Sequence, residues 1–142
     1  MHSLISGRCL SLPGKNSGRC HAGGCGKKRL TALANWEFGG GADYCAACEA
    51  DCPDCPRRLN QPHSLEGWQI WDLVQRSVGQ LRVGGGLSPQ VLGFDIAAVL
   101  ALGAALGIPP LAIAELLPWI ERAMVQRLNE ETGSGGHEGL YT

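Results

Sequence analysis

From Ser64 onward the apolar positions recur at helical intervals, and glycines and prolines divide the pattern into segments. Ser64 is placed to cap a first helix. Trp71, Val74, Val78 and Leu81 fall on one face of it, with Trp68 and Ile70 beside them. Gly84-Gly85-Gly86 ends that segment. Ser88-Pro89 then reads as N-cap and first residue of a second helix running to Gly107, almost wholly apolar, with Asp95 its only charge. Pro109-Pro110 restarts the chain as a short third helix through Leu117. Pro118 opens a fourth helix, from Trp119 to about Glu130, with Trp119, Ala123 and Leu128 facing inward and Glu121, Arg122, Gln126 and Arg127 outward. The polar, glycine-rich residues from Glu131 onward read as a disordered tail.

The first 63 residues follow other rules. Residues 1–26 are rich in Gly, Ser, Arg and Cys and show little periodicity. Leu30, Leu33 and Trp36 predict a short helix from Lys27 to Glu37, ended by Gly39-Gly40-Gly41. Residues 1–40 offer little apolar surface, so a poorly ordered extension is the rival reading there. The fold class expected is mainly α: a small bundle of three to four helices preceded by an irregular, Cys-rich, zinc-stabilised segment. The corresponding divisions are 1–63, 64–130 and 131–142.

All 7 cysteines lie in the first 55 residues, four of them as Cys45-x2-Cys48-x3-Cys52-x2-Cys55. A CxxC pair turns the backbone so that two thiolates face one point, the geometry of a tetrahedral zinc site. Two ligand sets fit. Either the four clustered cysteines hold one ion, or Cys20 and Cys25 join Cys45 and Cys48, leaving Cys52 and Cys55 to find partners among Cys9, His21 and His63. An iron–sulfur run ending in Cys-Pro has a different middle spacing. Cys52 and Cys55 each precede proline, which favours an extended or turn backbone at both. The N-terminus has no apolar core of signal-peptide length. A reducing, cytoplasmic setting is therefore expected, in which ligation is favoured over disulfides.

Net charge is −1, unevenly distributed. Residues 1–63 carry eight Lys or Arg against five Asp or Glu, and 64–130 carry four against six. Neither half is charged enough to imply a phosphate-binding surface by itself. Lys27-Lys28-Arg29 and Arg57-Arg58 flank the cysteines, and with Trp36 and Tyr44 they frame a nucleic-acid-binding knuckle as an alternative that is not favoured. The stretch from Ile96 to Ala114 is uncharged and close to bilayer-spanning length, but Gly107 and Pro109-Pro110 interrupt it. A buried central helix is the preferred reading over a membrane span, which would make the chain a small holin-like membrane protein as a second alternative. The turn from Leu102 to Leu117 has the outline of a helix–turn–helix, yet its second helix lacks Arg, Lys, Asn and Gln for reading bases. No catalytic triad, carboxylate pair or phosphate loop is present, so no enzymatic activity is expected. Asp95 suits a helix cap better than a catalytic acid. Trp68 and Trp71 fit a core or a partner-binding face.

The runs Glu66-Gly-Trp-Gln-Ile-Trp-Asp-Leu-Val-Gln-Arg76, Val91-Leu-Gly-Phe-Asp-Ile-Ala-Ala-Val-Leu-Ala-Leu102 and Ala114-Glu-Leu-Leu-Pro118, with Cys52-Pro-Asp-Cys-Pro-Arg-Arg58 before them, resemble a family of small proteins from tailed phages and prophages. The resemblance spans about Cys52 to Asn129. It implies a tail-assembly chaperone or accessory role, other phage proteins as partners, and no catalytic residues.

Overall fold

The computed structural model describes residues 24–41, 43–44 and 55–134. Its elements are α1 (Gly24–Trp36), the helical turn α2 (Pro56–Leu59), α3 (Leu65–Ser77), strands β1 (Leu81–Gly84) and β2 (Gln90–Phe94), α4 (Ile96–Ala105) and α5 (Pro110–Ser134). The described residues are mainly helical, as expected, with one small antiparallel hairpin among them.

Local chemistry sets the helix ends. The Ser64 hydroxyl accepts from Gly67 N at 3.0 Å and starts α3. Glu66 complements the dipole in its first turn, and Asp72 pairs with Arg76 one turn on at 2.8 Å. Asp95 caps α4 through Ala98 N at 3.2 Å. At the other end of α4, Gly107 takes a φ of 72°, Ile108 N donates to Gly103 O, and Gly107 N donates to Ala104 O. This paired closure is the Schellman motif, which a Cβ at Gly107 would strain. Pro110 then opens α5 at a position that needs no N–H.

The long helix α5 is the spine. Ile113, Leu117, Ile120 and Met124 form a buried stripe at intervals of three and four residues. They share one core with Leu30, Leu33 and Ala34 of α1, Ile70, Trp71, Leu73 and Val74 of α3, Phe94 of β2, and Val99 of α4. Packing therefore crosses position 64: α1, within the stretch offered above as an extension, is part of the same core. The α1 helix ends in the wide turn Glu37–Gly41, where Gly40 has a φ of 90° and Gly41 lies against the Trp36 ring. Arg127 of α5 holds this end, donating to Asn35 Oδ1 at 3.2 Å and lying over Gly39.

Three expectations are corrected. First, residues 88–95 do not begin a helix: they supply the loop and strand β2, and Leu81, expected on a helix face, begins β1. The hairpin pairs Leu81 with Phe94, Arg82 with Gly93, Val83 with Val91 and Gly84 with Gln90, leaving Leu92 as a bulge. Its outer edge is closed by α5. The Asn129 amide accepts from Val91 N at 2.9 Å and donates to Val91 O at 3.0 Å, and Glu121 accepts from Phe94 N at 2.8 Å. Those partners lie 27 to 38 residues away, beyond the reach of any local pattern. Second, Pro118 does not divide two helices. It sits inside α5, exposed together with Ala114, so the carbonyl that loses its helical N–H partner faces water. Reading a break there misplaced the inward face, and Trp119 lies at the surface, 41% exposed, instead of in the core. Third, α4 is not a buried central helix. Only Val99 and Gly103 are buried, and Gly103 meets Ile113 so closely that a Cβ would overlap its Cδ1.

Gly93, with a φ of 145°, lets Glu121 reach the Phe94 amide, because a Cβ at 93 would occupy the place of the Glu121 carboxylate. Gly93→Ala is expected to cost about 1–3 kcal/mol from backbone strain and the displaced hydrogen bond. In chemical denaturation the penalty should shrink in a Glu121→Ala background, where only the strain remains.

Candidate functional site

Three places outside the core carry chemistry: the entry from the Cys-rich segment, the basic end of α1, and the outer face of α4. Of the six proposed zinc ligands, Cys20, Cys45, Cys48 and Cys52 lie outside the described residues. The backbone of Cys25 lies in the first turn of α1. Cys55 is partly buried and extended, with φ −60° and ψ 124°, as the proline after it requires, and it occupies the N-cap position of α2. Among the described residues no group of three or more His, Cys, Asp or Glu side chains is placed to hold a metal.

Arg57 and Arg58 are exposed on α2. Arg29 of α1 holds that turn in place, donating from Nη1 to Leu59 O at 2.7 Å, and α2 packs on α1. The two basic clusters that flank the cysteines in sequence are thereby set side by side. Arg29 Nε is buried without a hydrogen-bond partner. Beside it runs a cleft of about 240 Å³ lined by Arg29, Leu30, Pro62, His63, Gly67 and Leu116.

On the other flank of α1, Lys27 bridges to Glu115 at 3.2 Å and lies 5.5 Å from the centre of the Trp119 ring. Arg122 approaches the same ring at 5.7 Å. Each contact is within cation–π range. Of the two tryptophans proposed for binding, Trp71 is a core residue at 8% exposure, whereas Trp68 is 46% exposed and faces outward. Sequence alone assigns Trp119 and Arg122 no binding role: a helix break at Pro118 turns Trp119 inward, and no sequence signal joins it to Lys27.

The α4 face is the second feature that sequence reading missed. The helix, Ile-Ala-Ala-Val-Leu-Ala-Leu-Gly-Ala-Ala, has no polar side chain. With Val99 and Gly103 inward, Ile96, Ala97, Leu100, Ala101 and Ala104 are exposed. Surface helices normally set polar residues there. No helix among the described residues is long and apolar enough to cross a membrane. Asp95, the one charge nearby, is engaged as a cap.

A family of unknown function (DUF7697) matches residues 84–137, which run from the end of β1 through β2, α4 and α5. The match covers less than half of the chain and excludes the cysteines, α1 and α3. No curated protein and no solved structure matches the chain.

The two faces of α4 should respond differently to charge. Leu100→Glu, on the outer face, is expected to change stability by no more than about 0.5–1 kcal/mol, whereas Val99→Glu, fully buried, should abolish cooperative unfolding or cost over about 4 kcal/mol. Thermal and urea denaturation of the two variants would check the assignment.

Proposed function

We propose that this chain is a non-enzymatic, phage-type assembly factor that binds another protein in the host cytoplasm, with zinc on the cysteine segment steadying the chain where it enters the helical core. The observation that carries this reading is the outer face of α4, which leaves Ile96, Leu100 and three alanines in water without a single charge. Exposed apolar surface of this kind is typical of interaction sites. Its chemistry selects the partner: a protein surface that is itself apolar and uncharged, since α4 offers a charged group nothing to pair with. A bilayer span is the wrong fit, because ten residues of helix extend only about 15 Å. The resemblance to tailed-phage proteins directs the search toward components of the tail.

Zinc fits the donor set. Four cysteines spaced as two CxxC pairs suit a tetrahedral thiolate site. The extended backbone of Cys55 leaves the last of them at the threshold of α2, which is docked on α1.

The test is a pull-down with purified phage tail-assembly proteins, using the intact chain and Leu100→Glu. One tail protein should be retained by the wild type and released at least tenfold more readily by the variant, a loss of about 1.4 kcal/mol. Retention of none by a folded, metal-loaded protein would overturn the reading. Elemental analysis of protein purified under reducing conditions should find zinc that a Cys52→Ser/Cys55→Ser variant lacks. A zinc-free, folded wild type would remove the metal from the proposal.

A further inference from the structure

We propose that the surface formed by the start of α1, by α2 and by the middle of α5 is a binding site for single-stranded nucleic acid. The cations on this surface come from three separated parts of the sequence. Lys27, Lys28 and Arg29 follow one another around the first turns of α1, Arg57 and Arg58 stand on α2, and Arg122 stands on α5. Two contacts join them. Arg29 binds Leu59 O at 2.7 Å and fixes the α2 pair beside α1. Trp119 lies 5.5 Å from Lys27 and 5.7 Å from Arg122, linking α1 to α5. The cations therefore wrap around the start of α1: Arg57 and Arg58 beside Arg29 on one flank, Lys27 with Trp119 and Arg122 on the other, and Lys28 between them in the helical turn.

Several of these charges are available. Lys28, Arg57 and Arg122 are exposed and form no ion pair among the described residues. Glu115 offsets one cation, Lys27, through an exposed pair. Such a pair contributes little and is readily exchanged for a phosphate.

Charge alone would suit any polyanion. The aromatic group makes the choice. Trp119 is 41% exposed between Lys27 and Arg122. A base can stack on an indole whose neighbours hold the adjoining phosphates, the arrangement used for single strands. Duplex DNA fits less well. Trp119, the aromatic set between the cations, stacks only on a base that is already unstacked. This surface is distinct from the outer face of α4, so each can fail without the other.

Fluorescence anisotropy with a labelled oligothymidylate and oligouridylate of about 20 nucleotides tests the proposal on the whole chain. Saturable binding is expected at about 50 mM salt, weakening steeply toward 200 mM. Lys28→Ala/Arg57→Ala should weaken it at least tenfold and lower the slope of log affinity against log salt by about 0.7 for each charge removed. Trp119→Leu should weaken it by about tenfold, and oligonucleotide addition should quench tryptophan emission in the wild type. Leu100→Glu should bind as the wild type does. Lys28 and Arg57 are exposed and outside the core, so their double variant keeps the assay interpretable if Trp119→Leu unfolds. Absence of binding at low salt, equal affinity in the charge variant, or equally tight binding of polyglutamate would overturn the assignment.

Discussion

Everything in this fold rests on burying one stripe of one helix. Ile113, Leu117, Ile120 and Met124 lie on the inner face of α5, and α1, α3, α4 and β2 each bring core residues to it. None of those elements is independently sturdy. The α1 helix has 13 residues and weak amphipathicity, α4 has 10 residues, and the hairpin has two short strands. Helices and hairpins of this size are marginal alone in water and form because a common partner removes their apolar faces from solvent. The polar groups on α5 complete the arrangement: Asn129 and Glu121 serve the strand edge, and Arg127 serves the end of α1.

What could be read from sequence was whatever is decided within a few residues. Ser64 as a cap, Gly107 as a stop, Pro110 as a start and Asp95 as a cap in place of a catalytic acid all follow from local backbone chemistry. The hairpin was hidden because its strands are stabilised by side chains far along the chain, and because Gly84-Gly85-Gly86 reads equally well as a helix stop. The continuity of α5 was hidden by a proline that the helix tolerates on its wet side. Most instructive is α4. An apolar helix read alone implies burial all round, but sequence gives the composition of a helix and not how many neighbours it will have. That difference is what singles out its outer face.

The candidate sites were legible to different degrees for related reasons. The cysteine spacing is visible as a motif, and its chemistry is general. The basic clusters at 27–29 and 57–58 are visible as runs of charge, but their juxtaposition depends on the packing of α2 on α1 and the bond from Arg29 to Leu59 O, and the exposure of Trp119 depends on a helix face that local periodicity misassigns. Of the tryptophans at 68 and 71, the residue spacing alone could not say which would be inside.

The docking of α1 on α5 and of α2 on α1 holds Gly41 and Cys55 in one folded body. The chain entropy lost in bringing these two points together is met by the apolar core. The zinc proposed for the cysteines would then have less chain entropy to overcome than in a free peptide. The cohesion of the helices themselves draws on carbon–carbon contacts, which a chelator does not reach.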